Sequence, residues 1–523
     1  MKGTQRISSQ KSAETGTYLF SMNNSIMLFT GTRQSWIWLE SSHRRELSGI
    51  DWSNNINRFN FGNNDVLDHF GYKYLDYTRS DFTKRTFLPH AERRKAVNLF
   101  ERPSINPLLA IYIMNKIGLK LTENTFKHEN MQKLMNSGEK FDAVIVGQFL
   151  NDALKALAYH FEGHLILFSS VGTSTWVNHL VGNPSLPSYT PEMLMSFPAR
   201  MTYIQRLKNV LFNTIYNINQ LILFYPQQNQ LLKKYISDDI DLHDALFNVS
   251  LVLLNSHESV SFPSSSVPCM KLIGGFHVKP PKKLPTDLQE FLDNSTQGVV
   301  YFSMGSNVNS KDMPKNLKSS ILKAFSNLKE NVLWKYEDQT LTDLPKNVKI
   351  GKWFPQQDIL AHPNVKLFIT HSGYASTIET VYHGVPIVAI PIFGDQAMNA
   401  VHAETKGFGI YLPWHKITEQ SFITTIREVI DNPKFKEVAM KKSVLMRDRE
   451  TAPLDSAIYW IEYILRHDGA RHLRVSSLEL SWYQYYMLDI YAPLAVFIYV
   501  LYFVVKKFLM LLFFRVKQKV KIL

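Results

Sequence analysis

The stretch that decides the fold is FITHSGYASTIETVYHGVPIVAIPIFGDQ, from Phe368 to Gln396. It places an apolar strand directly before His371, a helix-like run that stops at Gly384, and a second apolar strand that leads to Asp395. A strand, a helix and a strand in this order predict a parallel sheet covered on both faces. In such sheets ligands bind just beyond the carboxyl ends of the strands. The polar residues at these two strand ends are therefore candidates for a binding site.

The same alternation continues through the second half of the chain. Five segments read as strands there: GVVYFSMGS, NVLWKY, VKIGKWF, VKLFITHSG and VPIVAIPI. In the first half KFDAVIVGQF and HLILFSSVG read as strands, LNDALKALAYHF has helical periodicity, and residues 65 to 134 are mostly helical. Leu251 to Asn255 and Lys271 to Gly275 are strand-like. HVKPPKKLPTD, from His277 to Asp287, reads as the linker between the halves.

Three strand ends in the second half carry polar groups, and the topology predicts that they converge beside one crevice. They are Gly305-Ser306, His371-Ser372-Gly373 and Gly394-Asp395-Gln396. The His371 turn leads into a helix whose free N–H groups and positive dipole end favour an anion, here a phosphate. Ser306 can donate a further hydrogen bond.

Other residues near these ends suit the remaining parts of a nucleotide sugar. Trp353 offers a flat face for a base, and Asp395 and Gln396 can bind the hydroxyls of a sugar.

Each of these features also has a structural interpretation that needs no ligand. Ser376 and Glu379, three residues apart at a helix start, form a capping box pattern. His371 alone is typical of a structural turn residue, and Trp353 of core packing. Asp395 can cap the helix that follows it. The joint spacing of these residues favours the binding site.

The segment KWFPQQDILAHPNVKLFITHSGYASTIETVYHGVPIVAIPIFGDQ, from Lys352 to Gln396, resembles the donor-binding signature of the UDP-glycosyltransferases, which include the UDP-glucuronosyltransferases. The likeness extends from about Phe141 to the tail and includes FDAVIVGQFLNDAL and VYFSMGSNV. FLNDAL and GNPSLPSY are most similar to the insect members, whereas the N-terminal part is atypical. The resemblance implies the GT-B fold, in which two Rossmann-like α/β domains face each other across a cleft.

The resemblance also implies a role for each residue of the signature. The implied donor-binding residues are Trp353 for uracil, Gln356 for the uridine, Glu379 for the ribose, Ser306, His371 and Ser376 for the diphosphate, and Asp395 and Gln396 for the hexose. Two positions depart from the family pattern. Ser372 stands where the family usually has Gly, and Ala375 where vertebrate members have Asn, so one phosphate contact is expected to be lost.

The implied reaction is displacement at the anomeric carbon with inversion, in which positioned donors stabilise the leaving UDP without a metal. No cofactor is implied, and the UDP-sugar is a co-substrate. In the family the base is a His of the first N-terminal loop, oriented by an Asp, and these positions fall on Ser35 and Gly147. The nearest alternatives, His43, Asp142 and Asp152, are interpreted as ordinary polar residues. Together with the lack of an N-terminal signal sequence, this suggests that the N-terminal domain is incomplete through truncation or incorrect splicing, which sequencing the transcript's 5′ end would test.

The predicted domains follow from this reading. They are an acceptor-side domain 1–275, of which 1–64 is atypical, a UDP-sugar-binding domain with a return helix 276–481, a transmembrane helix 482–505 and a basic cytosolic tail 506–523. The span is long enough to cross a bilayer, and the basic tail marks the cytosolic side. The alternative is a buried or interfacial helix, because Pro493 and the Lys506-Lys507 pair interrupt the apolar run.

This topology places the body in the lumen of the endoplasmic reticulum. Two glycosylation sequons, at Asn248 and Asn294, fit that side of the membrane. Lys519 and Lys521 resemble a dilysine retrieval signal at the C-terminus. The sole cysteine, Cys269, excludes an internal disulfide.

The net charge of +13 is concentrated at the two ends of the 523-residue chain. The last 18 residues contain six Lys or Arg and no acid, and residues 1 to 45 contain six more against Glu14 and Glu40. A nucleic-acid-binding face on the body is therefore not expected.

Three functions compete. The first is a single-pass, membrane-anchored hexosyltransferase that conjugates small lipophilic acceptors, as in detoxification, with UDP-glucose or UDP-glucuronate as donor. The second is a donor-binding homologue without turnover, which lacks the catalytic base. The third is a metal-dependent transferase, because DDID, from Asp238 to Asp241, contains an Asp-x-Asp pair; the alternative is that this segment opens a helix. Acceptor identity and assembly into a homo-oligomer stay open.

Overall fold

The structure is a computed structural model of the chain. It describes the strands at 26–30 and 35–39, Phe100, and residues 106–520 except 307, 339, 340 and 342. The predictions for His43 and for an incomplete N-terminal domain lie outside the described residues, as do those for most of residues 1–64. Contacts divide the chain into two compact units, one that ends at Leu473 and one from Arg474 to Leu523.

The first sheet has six strands in the order β2-β1-β3-β4-β5-β6. β1 pairs antiparallel with β2, and the other neighbours are parallel. Its strands are β1 Ile26–Thr30, β2 Ser35–Leu39, β3 Ala143–Gly147, β4 His164–Ser169, β5 Val249–Leu254 and β6 Met270–Leu272.

Helices on and beside this sheet come mainly between β4 and β5. They are α1 Pro107–Lys127, α2 Glu129–Met135, α3 Leu157–His160, α4 Thr175–Leu180, α5 Tyr203–Asn219, α6 Tyr225–Tyr235 and α7 Leu242–Phe247. A π-helical turn, Gln220–Phe224, joins α5 to α6.

The second sheet also has six strands, all parallel, in the order β12-β11-β10-β7-β8-β9. Its strands are β7 Val299–Ser303, β8 Asn331–Lys335, β9 Val348–Gly351, β10 Val365–Thr370, β11 Ile387–Ala389 and β12 Gly409–Tyr411. The strand order reverses between β7 and β10, as in the Rossmann fold. This switch point opens a crevice at the carboxyl ends of these two strands.

Helices cover both faces of the second sheet. They are α8 Thr286–Asp293, α9 Lys315–Ser326, α10 Gln356–Leu360, α11 Tyr374–Tyr382, α12 Gln396–Thr405, α13 Glu419–Asp431 and α14 Pro433–Arg447. One face packs on α9 and α13 through Phe325 and Phe422, and the other on α11 through Ile378. Because both faces are covered, its central strands are apolar on both sides.

The next helix, α15 Pro453–Arg466, returns to the first sheet. Its buried Ala457 and Ile464 join the same core cluster as Ile145 and Leu251 of β3 and β5. The last helix of the second half thus completes the core of the first.

The carboxyl ends of the two sheets approach each other. Tyr374, directly after the β10 turn, donates a hydrogen bond from its hydroxyl to Ser256 Oγ at 3.1 Å, and its hydroxyl lies 2.5 Å from Ser261 Oγ. Ser256 and Ser261 follow β5 of the first sheet. The α/β fold of two Rossmann-like domains facing each other, predicted as GT-B, is confirmed.

One local prediction was wrong, and one strand was missed. The run LNDALKALAYHF is not one helix, because Leu150 has a positive φ of 55° and the following turn, Asp152–Ala156, is 3-10 before the short α3. The strand β12 was not predicted, since three residues are too few to show a period.

The second unit is mainly one helix. The short α16 Trp482–Tyr485 is separated from α17 Leu488–Val520 by Met487, whose φ is 54°. Residues Leu488–Phe513 are long and apolar enough to cross a membrane, with a mean hydropathy of 2.2. The apolar helix therefore begins later than residue 482 and ends later than residue 505. The helix continues through Pro493, which lies inside it, and through the Lys506-Lys507 pair.

Candidate functional site

The turns after β7 and β10 meet at the switch point. Gly305, after β7, has a φ of 74°, and a Cβ added there would lie 2.4 Å from His371 Cε1. A Cβ on Gly373 would lie 2.5 Å from His371 Nε2. The imidazole of His371 is therefore packed against two glycine backbones, and side chains at either position would displace it. The carboxyl ends of β7 and β10 therefore converge, as predicted.

His371 is buried, with 7% of its surface exposed, and its Nδ1 has no hydrogen-bond partner in the described part of the chain. Burial lowers its pKa to about 4, with a further contribution from the positive charge of Lys335. The ring is neutral at pH 7 and carries one donor and one acceptor. Buried polar atoms are normally paired, so this nitrogen is available for a ligand.

Ser372, where the family usually has Gly, adopts a left-handed conformation with a φ of 65°. Glycine adopts this conformation without strain, whereas Ser costs about 1–2 kcal/mol. Asn399 of α12 secures the turn, because its Nδ2 donates to Ser372 O at 3.0 Å and to Asp395 Oδ2 at 2.6 Å. Through Asn399 the loop after β11 is joined to the loop after β10, so the third strand end converges as predicted.

Asp395 stands at the N-cap position of α12, but its carboxylate makes no cap hydrogen bond. The interpretation as a simple helix cap is therefore wrong. Burial raises its pKa, and the hydrogen bond from Asn399 offsets part of that effect. Its neighbour Gln396 is buried and uses its Oε1 to accept from the backbone N–H groups of Ile392 and Phe393, at 2.9 and 3.1 Å. The amide nitrogen of Gln396 is the atom that can donate to a sugar.

Glu379 is the centre of a second group of contacts, between α10 and α11. Gln356 Nε2 donates to Glu379 Oε2 at 2.6 Å and to Ser376 Oγ at 3.1 Å. Gln357 Nε2 donates to Glu379 Oε1 at 3.0 Å. The capping box interpretation of Ser376 and Glu379 is wrong, because α11 begins at Tyr374 and its N-cap is Gly373. The carboxylate instead faces α10.

Trp353 follows β9 and is 61% exposed, so its interpretation as core packing is wrong. Lys335, the last residue of β8, lies with its Nζ 5.6 Å from the centroid of the Trp353 ring. The same Nζ donates to Gly305 O at 2.8 Å. Contacts thus run from Trp353 through Lys335 and Gly305 to His371. Ser306, next to Gly305, is exposed at the mouth of this turn.

Sequence reasoning missed three residues of the site. Lys335 ends an apolar strand and reads as an ordinary surface lysine, whereas Gln357 and Asn399 act by bridging segments that are far apart in the chain. Of these three residues, only Gln357 had a local signal in the sequence, because it directly follows Gln356, a predicted donor-binding residue.

The positions expected to hold the catalytic pair lie in the first sheet. Gly147 ends β3, and Ser35 opens β2, paired with Thr30; the side chain of Ser35 is outside the described part. Asp152 is buried and forms an ion pair with Lys155, whose Nζ lies 2.5 Å from its Oδ1. Asp152 thus has a structural partner.

The DDID segment opens a helix. Asp241 is the N-cap of α7 and accepts a hydrogen bond from the backbone N–H of His243 at 2.7 Å. This agrees with the alternative interpretation of that segment.

Comparison with known proteins identifies the family. Residues 76–522 match the family described as UDP-glucoronosyl and UDP-glucosyl transferase. The chain belongs to this family. Residues outside this match include the atypical segment 1–64. The UDP-glycosyltransferase family assignment makes the chain a UDP-sugar-dependent hexosyltransferase by class, with a UDP-sugar and an acceptor as its substrates.

Two relatives with more than 30% identity agree with this assignment. UDP-glycosyltransferase UGT5 of Dactylopius coccus is 37% identical over 71% of this chain and 71% of its own length. UDP-glucuronosyltransferase 2C1 of Oryctolagus cuniculus is 35% identical over 84% of this chain and 89% of its own length. Among solved structures, the glycotransferase of kitacinnamycin aligns with a TM-score of 0.48 and 17% identity, over 69% of this chain and 84% of that one.

Proposed function

We propose that this UDP-glycosyltransferase is a membrane-anchored, inverting enzyme that moves glucose or glucuronate from a UDP-sugar to small lipophilic acceptors. The observation that carries the proposal is the buried, neutral His371 at the switch point of a Rossmann sheet, because its Nδ1 has no partner among the described residues. Ligands bind at such points, and diphosphates suit the start of the helix that follows. A relative from Dactylopius coccus that is named UDP-glucosyltransferase 2, 37% identical over 70% of this chain, supports glucose as the donor sugar.

The diphosphate would lie between the turns after β7 and β10. The N-cap residue of α11, Gly373, has no side chain to cap the helix, and Asp395 accepts a hydrogen bond from the backbone N–H of Tyr374. The remaining N–H groups of the first turn would bind phosphate oxygens, together with Ser306, His371 and Ser376. Ala375 is exposed on that turn and has no polar side chain, which supports the loss of one phosphate contact.

The nucleoside and the sugar would lie on either side of the diphosphate. The exposed indole of Trp353 would stack on uracil, with Gln356 beside the uridine and Glu379 on the ribose hydroxyls. Asp395 and Gln396 would hold the hexose. Helix N–H groups stabilise the leaving UDP without a metal in this proposal, because they favour the charge that develops on the diphosphate.

A second candidate function is donor binding without turnover. It is favoured by Gly147, which has no side chain to orient a base, and by Ser35, since a serine without a base accepts a proton poorly at neutral pH. Both functions require UDP binding, and only the first requires transfer.

One assay on the full chain separates the two functions. With UDP-glucose or UDP-glucuronate and a phenolic acceptor, the enzyme is expected to release a glycoside, unaffected by EDTA, whereas the binding protein releases none. In both cases Trp353→Ala should weaken UDP binding about tenfold by calorimetry, because base stacking contributes about 1–3 kcal/mol. Tyr203→Ala removes an exposed aromatic side chain from α5 and should leave UDP binding unchanged. A wild-type chain that does not bind UDP would refute both.

The body is proposed to lie in the lumen of the endoplasmic reticulum, since a basic tail follows the apolar part of α17. Of the two sequons, Asn294 is exposed at the end of α8, whereas Asn248 is half-buried directly before the buried strand β5. Endoglycosidase H is therefore expected to increase the mobility of the expressed chain. Asn294→Gln should abolish that shift and Asn248→Gln should not; a wild-type chain with no shift would contradict the lumenal placement.

A further inference from the structure

We propose that Lys335, at the carboxyl end of β8, is a positioning residue for the donor nucleotide. Its ammonium group holds the Gly305 turn that precedes Ser306, and it occupies one face of the Trp353 indole so that the base stacks on the other. This inference rests on the proposed function and deepens it. It names one residue that positions both the Gly305 turn, beside the proposed diphosphate site, and the Trp353 indole, on which the base is proposed to stack.

The position of β8 in the sheet makes this double contact feasible. β8 lies between β7 and β9, so its carboxyl end is next to the ends of both neighbours. Gly305 follows one neighbour and Trp353 the other. Lys335 is the residue of β8 nearest to both turns, and its long side chain reaches each of them.

Lys335 is unusual among lysines because only 7% of its surface is exposed. Lysine is almost never buried unless its charge is paired. The Nζ donates to Glu337 Oε1 at 2.9 Å and to Gly305 O at 2.8 Å. The bond to Glu337 pairs the buried charge of Lys335, but an ion pair alone does not explain why the same ammonium group also bonds the Gly305 carbonyl.

The energetics argue against a purely structural ion pair. Replacing a buried ion pair by packed apolar residues is often neutral or stabilising, so stability alone does not favour a lysine here. The preceding strand residues Val332, Leu333 and Trp334 are apolar and fully buried. A charged residue at the end of such a strand is better explained by what its ammonium group contacts at the crevice.

The contact with Trp353 has a geometric consequence. A cation within about 6 Å of a ring centroid is attracted to the face of an indole, and the Nζ of Lys335 is 5.6 Å away. An indole has two faces, and 61% of the Trp353 surface is exposed. A planar base can therefore use the face opposite the ammonium group, whose contact orients the ring for stacking.

Lys335 also acts on His371 through space. Its charge adds to the effect of burial in lowering the pKa of His371. A neutral imidazole in contact with Gly305 and Gly373 keeps one acceptor and one donor nitrogen. Removal of the ammonium group should therefore raise the pKa of His371, an effect that can be measured without any ligand.

The test compares Lys335→Met, Lys335→Arg and Glu337→Gln in the full chain by UDP calorimetry. Lys335→Met is expected to weaken UDP binding at least tenfold, because it frees the Gly305 turn and the Trp353 ring. Lys335→Arg keeps the charge and the donors, so it should stay within about threefold of the wild type. Glu337→Gln removes the ion pair but keeps the bond to Gly305, and it should bind UDP as the wild type does. An equal loss in Lys335→Met and Glu337→Gln would show that Lys335 is only part of an ion pair, and would overturn the proposal.

A second readout keeps this test separate from the proposed function. In ¹³C-histidine NMR spectra, with the His371 signal assigned from His371→Gln, Lys335→Met should raise the pKa of His371 and Lys335→Arg should not. An unchanged pKa together with unchanged UDP affinity would overturn the inference while UDP binding by the wild type still supports the proposed function. A wild-type chain that binds no UDP would refute the proposed function, and with it the nucleotide role of Lys335.

Discussion

Replacement of Trp334 with alanine is expected to destabilise the compact unit that contains the second sheet by about 3–5 kcal/mol, the usual cost of truncating a buried aromatic residue. Trp334 is fully buried in the middle of an aromatic cluster. Its ring stacks on Phe302 at 5.2 Å between centroids and meets the edges of Phe325 at 5.9 Å and Tyr336 at 4.9 Å. Its Nε1 also donates to Ser310 Oγ at 3.2 Å. Alanine would leave a cavity, and Ser310 Oγ would lose the hydrogen bond that it accepts while keeping the one that it donates to Lys335 O.

The measurement is urea unfolding of the full chain, followed by tryptophan fluorescence and circular dichroism. Trp353→Ala is the matched control, because Trp353 follows the neighbouring strand but is mostly exposed. Its effect on the free energy of unfolding should stay within about 0.5 kcal/mol, as for most surface substitutions. Equal unfolding midpoints for Trp334→Ala and the wild type would contradict the packing described for this cluster.

Replacement of Glu379 with alanine is expected to weaken UDP binding about 100-fold. Hydrogen bonds to a charged group contribute about 1.5–3 kcal/mol each, and the proposed site gives this carboxylate two ribose hydroxyls. The substitution also removes the acceptor for the amides of Gln356 and Gln357, so their side chains lose the geometry that faces the nucleoside. His277 Nε2, 3.7 Å from Glu379 Oε1, loses its charged neighbour as well.

Calorimetry with UDP and with uridine would measure this loss, and both ligands should be affected because the ribose is common to them. Glu428→Ala is the control, since Glu428 is an exposed carboxylate on α13, outside the described contacts of the site. Retention of wild-type affinity by a folded Glu379→Ala chain would remove Glu379 from the site.

Local sequence patterns predicted most of the strands. Continuous apolar segments such as VVYFS and VKLFIT predicted β7 and β10. A parallel strand that is buried on both faces is apolar at almost every position, so it appears in the sequence as a short unbroken apolar run. The 3-10 turn at Asp152–Ala156 was not predictable in this way, since helical periodicity does not distinguish a 3-10 turn from an α-helix over five residues. The long apolar C-terminal helix was predicted, but its start was not, because the break at Met487 depends on one backbone angle.

The candidate site was only partly predictable. Polar residues at strand ends were visible because the rule that places ligands there depends only on topology. Sequence spacing could not decide whether Trp353 is a core residue, or whether Glu379 and Asp395 are helix caps, rather than donor-binding residues. That choice depends on the exposure of each side chain and on its hydrogen-bond partners. In the structure the exposed indole and the carboxylate shared by two glutamines exclude the simple cap and core interpretations.

By itself the sequence determined the α/β class, the strand ends and the residues that follow them, because hydrophobic periodicity and turn chemistry act over a few neighbouring residues. Only the tertiary structure decided that Lys335 lies between Gly305 and Trp353 and that Asn399 joins two loops. It also decided that His371 is buried and that its Nδ1 has no partner among the residues that the structure describes. These contacts depend on strand order in the sheet, which brings together side chains from distant parts of the chain. Burial then lowers the pKa of His371, and neither the strand order nor the burial can be read from adjacent residues.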